Sequence, residues 1–136
     1  MIFGSCHANG LLAFVPRLVQ APLLLGKGSI PATLLLLFAG HAVCDYPLQG
    51  EFLAKAKNRH LNTSGGWWRD MLAHCIIHAG MVLLITGSVS LALAELVIHY
   101  ATDCAKCDGW ISSSVDQAIH YSCKVAWVLV LFFWAR

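Results

Sequence analysis

Four pairs of residues with metal-ligand chemistry recur at one spacing along the chain: His41 and Asp45, His74 and His78, His99 and Asp103, Asp116 and His120. Members of each pair stand four positions apart, which in a helix puts both side chains on one face, one turn from each other. Imidazole and carboxylate are the borderline ligands that zinc, iron and manganese accept. One such pair would read as packed, hydrogen-bonded side chains. Four pairs in a chain of 136 residues read as a set.

The elements that carry the pairs are apolar. One stretch begins at Pro31, runs through ATLLLLFAGHAVCDY and is interrupted at Pro47. Proline suits the first helical turn, where its missing N–H has no partner to lose, and it stops or kinks a helix that it enters later. A polar stretch, Gly50–Gly66, separates this from a second run that starts at Trp67-Trp68 and reaches Gly87. A small-residue turn leads to the third, LALAELVIHYATD, which ends at a polar loop, Lys106–Ser114; the fourth runs from Val115 to Trp134. The domain reading is an irregular or interfacial N-terminal segment, 1–30, followed by a helical bundle, 31–136.

Helix direction makes the pairs converge. His41 and Asp45, like His99 and Asp103, close their runs, whereas His74 and His78, like Asp116 and His120, open theirs. In an up-down-up-down bundle all eight then lie at one end. His41, His78, His99 and His120 form a deeper layer; Asp45, His74, Asp103 and Asp116 form an outer one. Glu95 lies one turn below His99 on its face, and Lys124 lies one turn below His120, where it is costly unless paired; Glu95 is the candidate partner.

Composition sets the surroundings. The chain is 58% hydrophobic and 12% charged, about half the charge that a soluble domain uses to cover its surface. The expected fold is therefore all-α, a polytopic membrane bundle of about four short transmembrane helices with the His/Asp layer near one membrane face. Each apolar core falls short of the roughly 20 residues that cross a bilayer, unless its His- and Asp-bearing turns count as helix. Trp67-Trp68 beside Arg69 suits a membrane interface, and the aromatic run Trp127–Trp134 reads as lipid-facing packing. Of seven His and seven acids, five and four lie on the pair-bearing faces, and ionisable groups at membrane depth are functional by default.

A net charge of +2 is too small to argue for nucleic acid. The six Cys sit mostly in apolar runs, where a thiol behaves as a small hydrophobe, and Cys104-x-x-Cys107 lacks a second pair at zinc-finger spacing. Lys55, Lys57, Arg59, Arg69 and Lys106 gather at the His/Asp end, which the positive-inside bias turns towards the cytoplasm.

HAVCDYPLQ from His41, Lys55, HCIIH from His74, HYATDCAK from His99 and DQAIH from Asp116, taken in this order, resemble the small bacterial and phage membrane proteins grouped as domain of unknown function 3307. The resemblance covers residues 33–130 and adds Gln49, Lys55, Lys106 and Gln117 to the eight paired positions. A looser similarity, in the helical H-x-x-x-D pairs, is to bacterial inner-membrane metal-dependent hydrolases.

The expected function is a membrane-embedded metal-dependent hydrolase of the bacterial inner (cytoplasmic) membrane, its site facing the cytoplasm. The eight paired residues would hold a divalent metal, zinc first, with room for two ions. Gln49 and Gln117 would orient ligands or water, while Lys55 and Lys106 would meet an anionic or phosphorylated, membrane-associated substrate. The rivals are a metal-ion or proton carrier and a non-catalytic membrane factor whose metal is structural.

Overall fold

A computed structural model of the chain describes residues 29–134. The segment expected to be irregular or interfacial, 1–30, lies outside the described residues but for its last two positions. Five α-helices follow in order: α1 (Ile30–Asp45), α2 (Gly50–Ala56), α3 (Trp67–Thr86), α4 (Val89–Cys107) and α5 (Ser113–Leu129), with a closing π-helical turn at Val130–Trp134. There is no strand among the described residues.

The breaks sit where the sequence places them. Pro31 occupies the first turn of α1, and Pro47 ends that helix, so that α2 leaves at an angle of 79°. Gly87 caps α3 with φ +68°, a left-handed conformation that its missing side chain permits, and sends its N–H to Leu83 O. Ser88 and Ser112 then cap α4 and α5, each accepting from a backbone N–H three residues on.

The four long helices close a ring: α1 packs against α3 and α5, and α4 packs against the same two, while α2 lies on α3. One end of the ring is filled by Leu37, Val82, Ile85, Leu91, Trp127 and Val128. The other is filled by His, Asp, Glu and Lys. Among the described residues, 13 polar or charged ones are buried against 11 hydrophobic ones. The exterior is the reverse: Leu35, Ile76, Leu84, Leu93, Val97, Leu129 and Phe133 stand exposed along the helices.

Among the described residues, α3 is long and apolar enough to cross a membrane, and α1 with α2 would count as a second span only if the bent pair were one. The all-α fold is therefore as expected, whereas of the about four short transmembrane helices expected, one or two among the described residues qualify by length and composition. The shortfall has a plain cause. α1 has 16 residues and α5 has 17, and α4 and α5 spend part of their length on interior charges.

Candidate metal centre

The i, i+4 spacing does bring the eight paired side chains into one interior. His41, His74, His78, His99, Asp103, Asp116 and His120 are each at most 1% exposed, and Asp45 is only slightly more open at its carboxylate. The deeper imidazoles crowd together: His78 stacks on His99 at 3.8 Å between ring centres, and His99 on His120 at 4.0 Å. His41 lies 5.0 Å from His78 and 5.2 Å from His120. The outer layer is bridged by His74, whose Nε2 lies 3.5 Å from Asp45 Oδ1 and 3.3 Å from Asp103 Oδ2.

Two groups of ligand atoms are close enough to share an ion: Asp45, His74, His78 and His99, and then His99, Asp103 and His120. A tetrahedral zinc with bonds of about 2.0–2.1 Å separates its ligand atoms by about 3.3 Å. The first group has separations near that length: 3.1 Å from His78 Nε2 to Asp45 Oδ1, and 3.2 Å from His99 Nε2 to His74 Nε2. In the second, His120 Nε2 lies 3.8 Å from Asp103 Oδ1; Asp116, outside both groups, brings Oδ1 to 3.3 Å from the same His120 Nε2. Both His120 Nε2 and Asp116 Oδ1 are buried without a hydrogen-bond partner, as is His74 Nδ1.

Counting hydrogens shows that one position needs a cation. His78 Nδ1 faces His41 Nδ1 at 3.3 Å, and His41 Nε2 faces Gln117 Oε1 at 3.3 Å. Gln117 Nε2 donates to Asp45 Oδ2 at 2.6 Å, and Asp45 Oδ1 closes the circuit on His78 Nε2. Two neutral imidazoles and the one amide group that turns inward supply three hydrogens for these four contacts. One contact therefore sets lone pair against lone pair unless a proton or a metal ion stands between them. With Gln117 donating to Asp45, the tautomers of His41 and His78 set which of the three imidazole contacts is bare, and one of the three, His78 to Asp45, lies inside the first ligand group.

Glu95 supports the set from below. His99 Nδ1 lies 3.3 Å from Glu95 Oε1, which also accepts from Lys124 Nζ at 2.5 Å, while Trp127 Nε1 donates to Glu95 Oε2 at 2.7 Å. A carboxylate on Nδ1 holds its proton there and leaves the Nε2 lone pair of His99 facing the site, the usual outer partner of a metal-bound imidazole. Lys124 thus has the partner expected for it. Trp127 does not face lipid as expected: it is 8% exposed, because it falls on the same α5 face as His120 and Lys124.

The chain belongs to the family of proteins of unknown function known as DUF3307. The family model matches residues 33–135 and so takes in the whole site. No curated protein and no solved structure matches the chain.

The family motif residues outside the eight divide. Gln117 joins Asp45 and His41, as described. Lys106 reaches Asp103 Oδ1 at 2.7 Å and Asp116 Oδ2 at 2.8 Å. Gln49 stands one step out, accepting from Lys57 Nζ at 2.5 Å. Lys55, expected at the site, is not brought to it; it is well exposed and pairs with Glu51 at 2.6 Å. Lys57 is there instead, 2% exposed, with its ammonium on Asp103 Oδ2. The two lysines are two positions apart at the end of α2, so the helix turns them to different faces. The bend after Pro47 decides which one faces inward, and spacing along a single straight helix does not supply that bend.

Proposed function

We propose that the chain is a membrane-embedded, metal-dependent hydrolase with a binuclear His/Asp centre. One observation carries the reading: ligand atoms from all four long helices meet at metal-ligand separations, in a hydrogen-bond circuit one cation short. His99 Nε2 has one lone pair and serves one ion. Asp45, His74, His78 and His99 would then hold one ion, and Asp103 and His120, with Asp116 beside His120, would hold a second with fewer protein ligands, as catalytic sites have.

Such a centre supplies a water ionised near neutral pH. The chain's own residues do the rest. His41 and Gln117 hold His78 and Asp45 in register, Glu95 fixes the tautomer of His99, and Lys106 places positive charge beside Asp103 and Asp116. In hydrolysis the water would give up a proton as its oxygen bonds to the acyl carbon or phosphorus, the bond to the leaving oxygen or nitrogen would break, and that atom would take a proton. Zinc is the preferred metal for the imidazole-rich first group.

The membrane reading rests on the inverted packing, apolar outside and charged inside. A water-soluble bundle covers an apolar core with charge, whereas a lipid-facing one has no reason to. With the α3–α4 turn free of basic residues and Lys55, Arg59 and Arg69 at the site end, the site faces the cytoplasm of a bacterial inner membrane. Cysteine introduced at Ser88 should be labelled from outside intact cells and cysteine at Ser64 should not; the opposite pattern would reverse the orientation.

A carrier is disfavoured, since the polar interior stops at Glu95, Lys124 and Trp127 and gives way to Leu37, Val82, Ile85, Leu91 and Val128. A structural metal is the second reading, favoured by ligands drawn from all four long helices. Hydrolysis separates the two. Metal-loaded protein in mild detergent, assayed on a panel of esters, phosphoesters and amides before and after chelation, should cleave a member of the panel and lose that activity with the metal. Metal retention with no hydrolysis on any member would leave the structural role.

A further inference from the structure

The two lysines at the site, Lys57 buried and Lys106 partly exposed, have carboxylate partners only within the ligand set. Lys57 bonds Asp103 Oδ2, and Lys106 bonds Asp103 Oδ1 and Asp116 Oδ2. Lys57 is 2% exposed, held on its other side by the side-chain carbonyl of Gln49. A buried ammonium keeps its charge only where an anion answers it. When Asp103 and Asp116 ligate metal, their negative charge is shared with the metal; the buried ammonium of Lys57 then needs another anion, and Lys106, partly exposed, stands beside it to meet the same one.

The charges in the site say which anion. Glu95 and Lys124 cancel in their own pair, as do Arg59 and Asp108 at the rim. Asp45, Asp103 and Asp116 against Lys57 and Lys106 leave one negative charge, with the imidazoles neutral, as ligands must be. Two divalent ions would turn this into three positive charges, and one ionised water would lower it to two. A neutral ester or amide would leave both uncompensated in a water-poor interior, and a phosphodiester would leave one. A phosphoryl dianion leaves none.

We propose that Lys57 and Lys106 are the anion-recognition pair of this site and that its ligand is a terminal phosphoryl dianion. This rests on the binuclear reading above. Such a group has a second pKa of about 6 and so carries close to two charges at neutral pH. Lys57 and Lys106, set on opposite oxygens of Asp103, would meet different oxygens of the phosphoryl group. Gln49 acts as a positioning residue that aims Lys57.

The test is calorimetric. Zinc-loaded wild-type protein in mild detergent is titrated with inorganic phosphate, with dimethyl phosphate and with phosphatidic acid in mixed micelles, while metal is counted in parallel. Phosphate should bind, and the monoanionic dimethyl phosphate should bind at least about tenfold more weakly. Lys57→Gln and Lys106→Gln should each weaken phosphate by about 10–100-fold, the worth of one charge-assisted hydrogen bond, with the metal count unchanged. Phosphatidic acid binding well above inorganic phosphate would identify a lipid headgroup as the source, and equal binding a soluble phosphoester. Two bound metals with no phosphate affinity, or no preference for the dianion, would overturn the inference and leave the proposed function standing. Absence of bound metal in the wild type would remove both. Should one lysine variant fail to fold, the other and the wild-type anion comparison still decide.

Discussion

The two halves of the bundle are built from the same four helices and obey different rules. Below Glu95 the interior is Leu37, Val82, Ile85, Leu91 and Val128, held by shape and the avoidance of voids. Above it, most interior side chains are ionisable and most meet a partner with a matching hydrogen or charge, the exceptions being His74 Nδ1, Asp116 Oδ1 and His120 Nε2. Apolar packing tolerates substitutions that conserve volume. The polar half does not, because removing one partner strands another away from water. A site of this kind is therefore expensive to keep and simple to break, whereas the apolar half serves as its foundation.

Where the two halves meet, the contrast is at its strongest. Glu95→Ala would leave Lys124 as an unpaired buried ammonium and release the indole of Trp127. Breaking a buried pair from one side costs about 3–5 kcal/mol, so the variant should show the lowest unfolding temperature of this series in detergent, with metal affinity reduced through His99. Stability and metal affinity both at wild-type level would show that the layer beneath the site does not support it. Within the apolar half, Leu37→Ala should cost about 2–5 kcal/mol by opening a cavity. Its metal count should stay at the wild-type value; metal loss there would mean that the halves are not separable.

In the polar half, Gln117→Ala removes an orienting group and spares the ligands. The expected loss is roughly 10–100-fold in metal affinity or turnover, read by competition with a chromogenic chelator. An unchanged affinity would take Gln117 out of the circuit that joins His41 to Asp45. Lys55→Ala should have the smallest effect, with metal binding and phosphate affinity both unchanged, since its exposed pair with Glu51 is of the kind worth about 0–1 kcal/mol. A phosphate defect as large as that of Lys57→Gln would restore Lys55 to the site and contradict its outward placement.

These contrasts follow how much of the molecule the sequence made legible. The four paired positions were readable because a helix repeats its face every four residues, and helix direction then put all four at one end. The partnership of Glu95 with Lys124 was readable for the same reason, each lying one turn below a site histidine. What failed was whatever depended on a change of direction. Pro47 marked a break, but not the 79° turn that points Lys57 inward and Lys55 outward. Trp127 was misjudged because an aromatic-rich run near the end of an apolar helix resembles an interface belt, although its position, seven residues after His120, places it on the interior face. The division of labour among the imidazoles was also out of reach of spacing. His41 and His78 both reach Asp45, but His78 completes a ligand group, whereas His41, expected as a ligand, falls outside both groups and faces Gln117.

The most direct test is the number of metal ions per chain, measured by elemental analysis on protein purified in mild detergent after expression with zinc supplied. The expected result for the wild type is two, falling for His78→Ala and for Asp116→Ala, each of which removes a ligand from a different ion. A wild-type protein without bound metal, or a metal content that survives both substitutions, would contradict the binuclear centre.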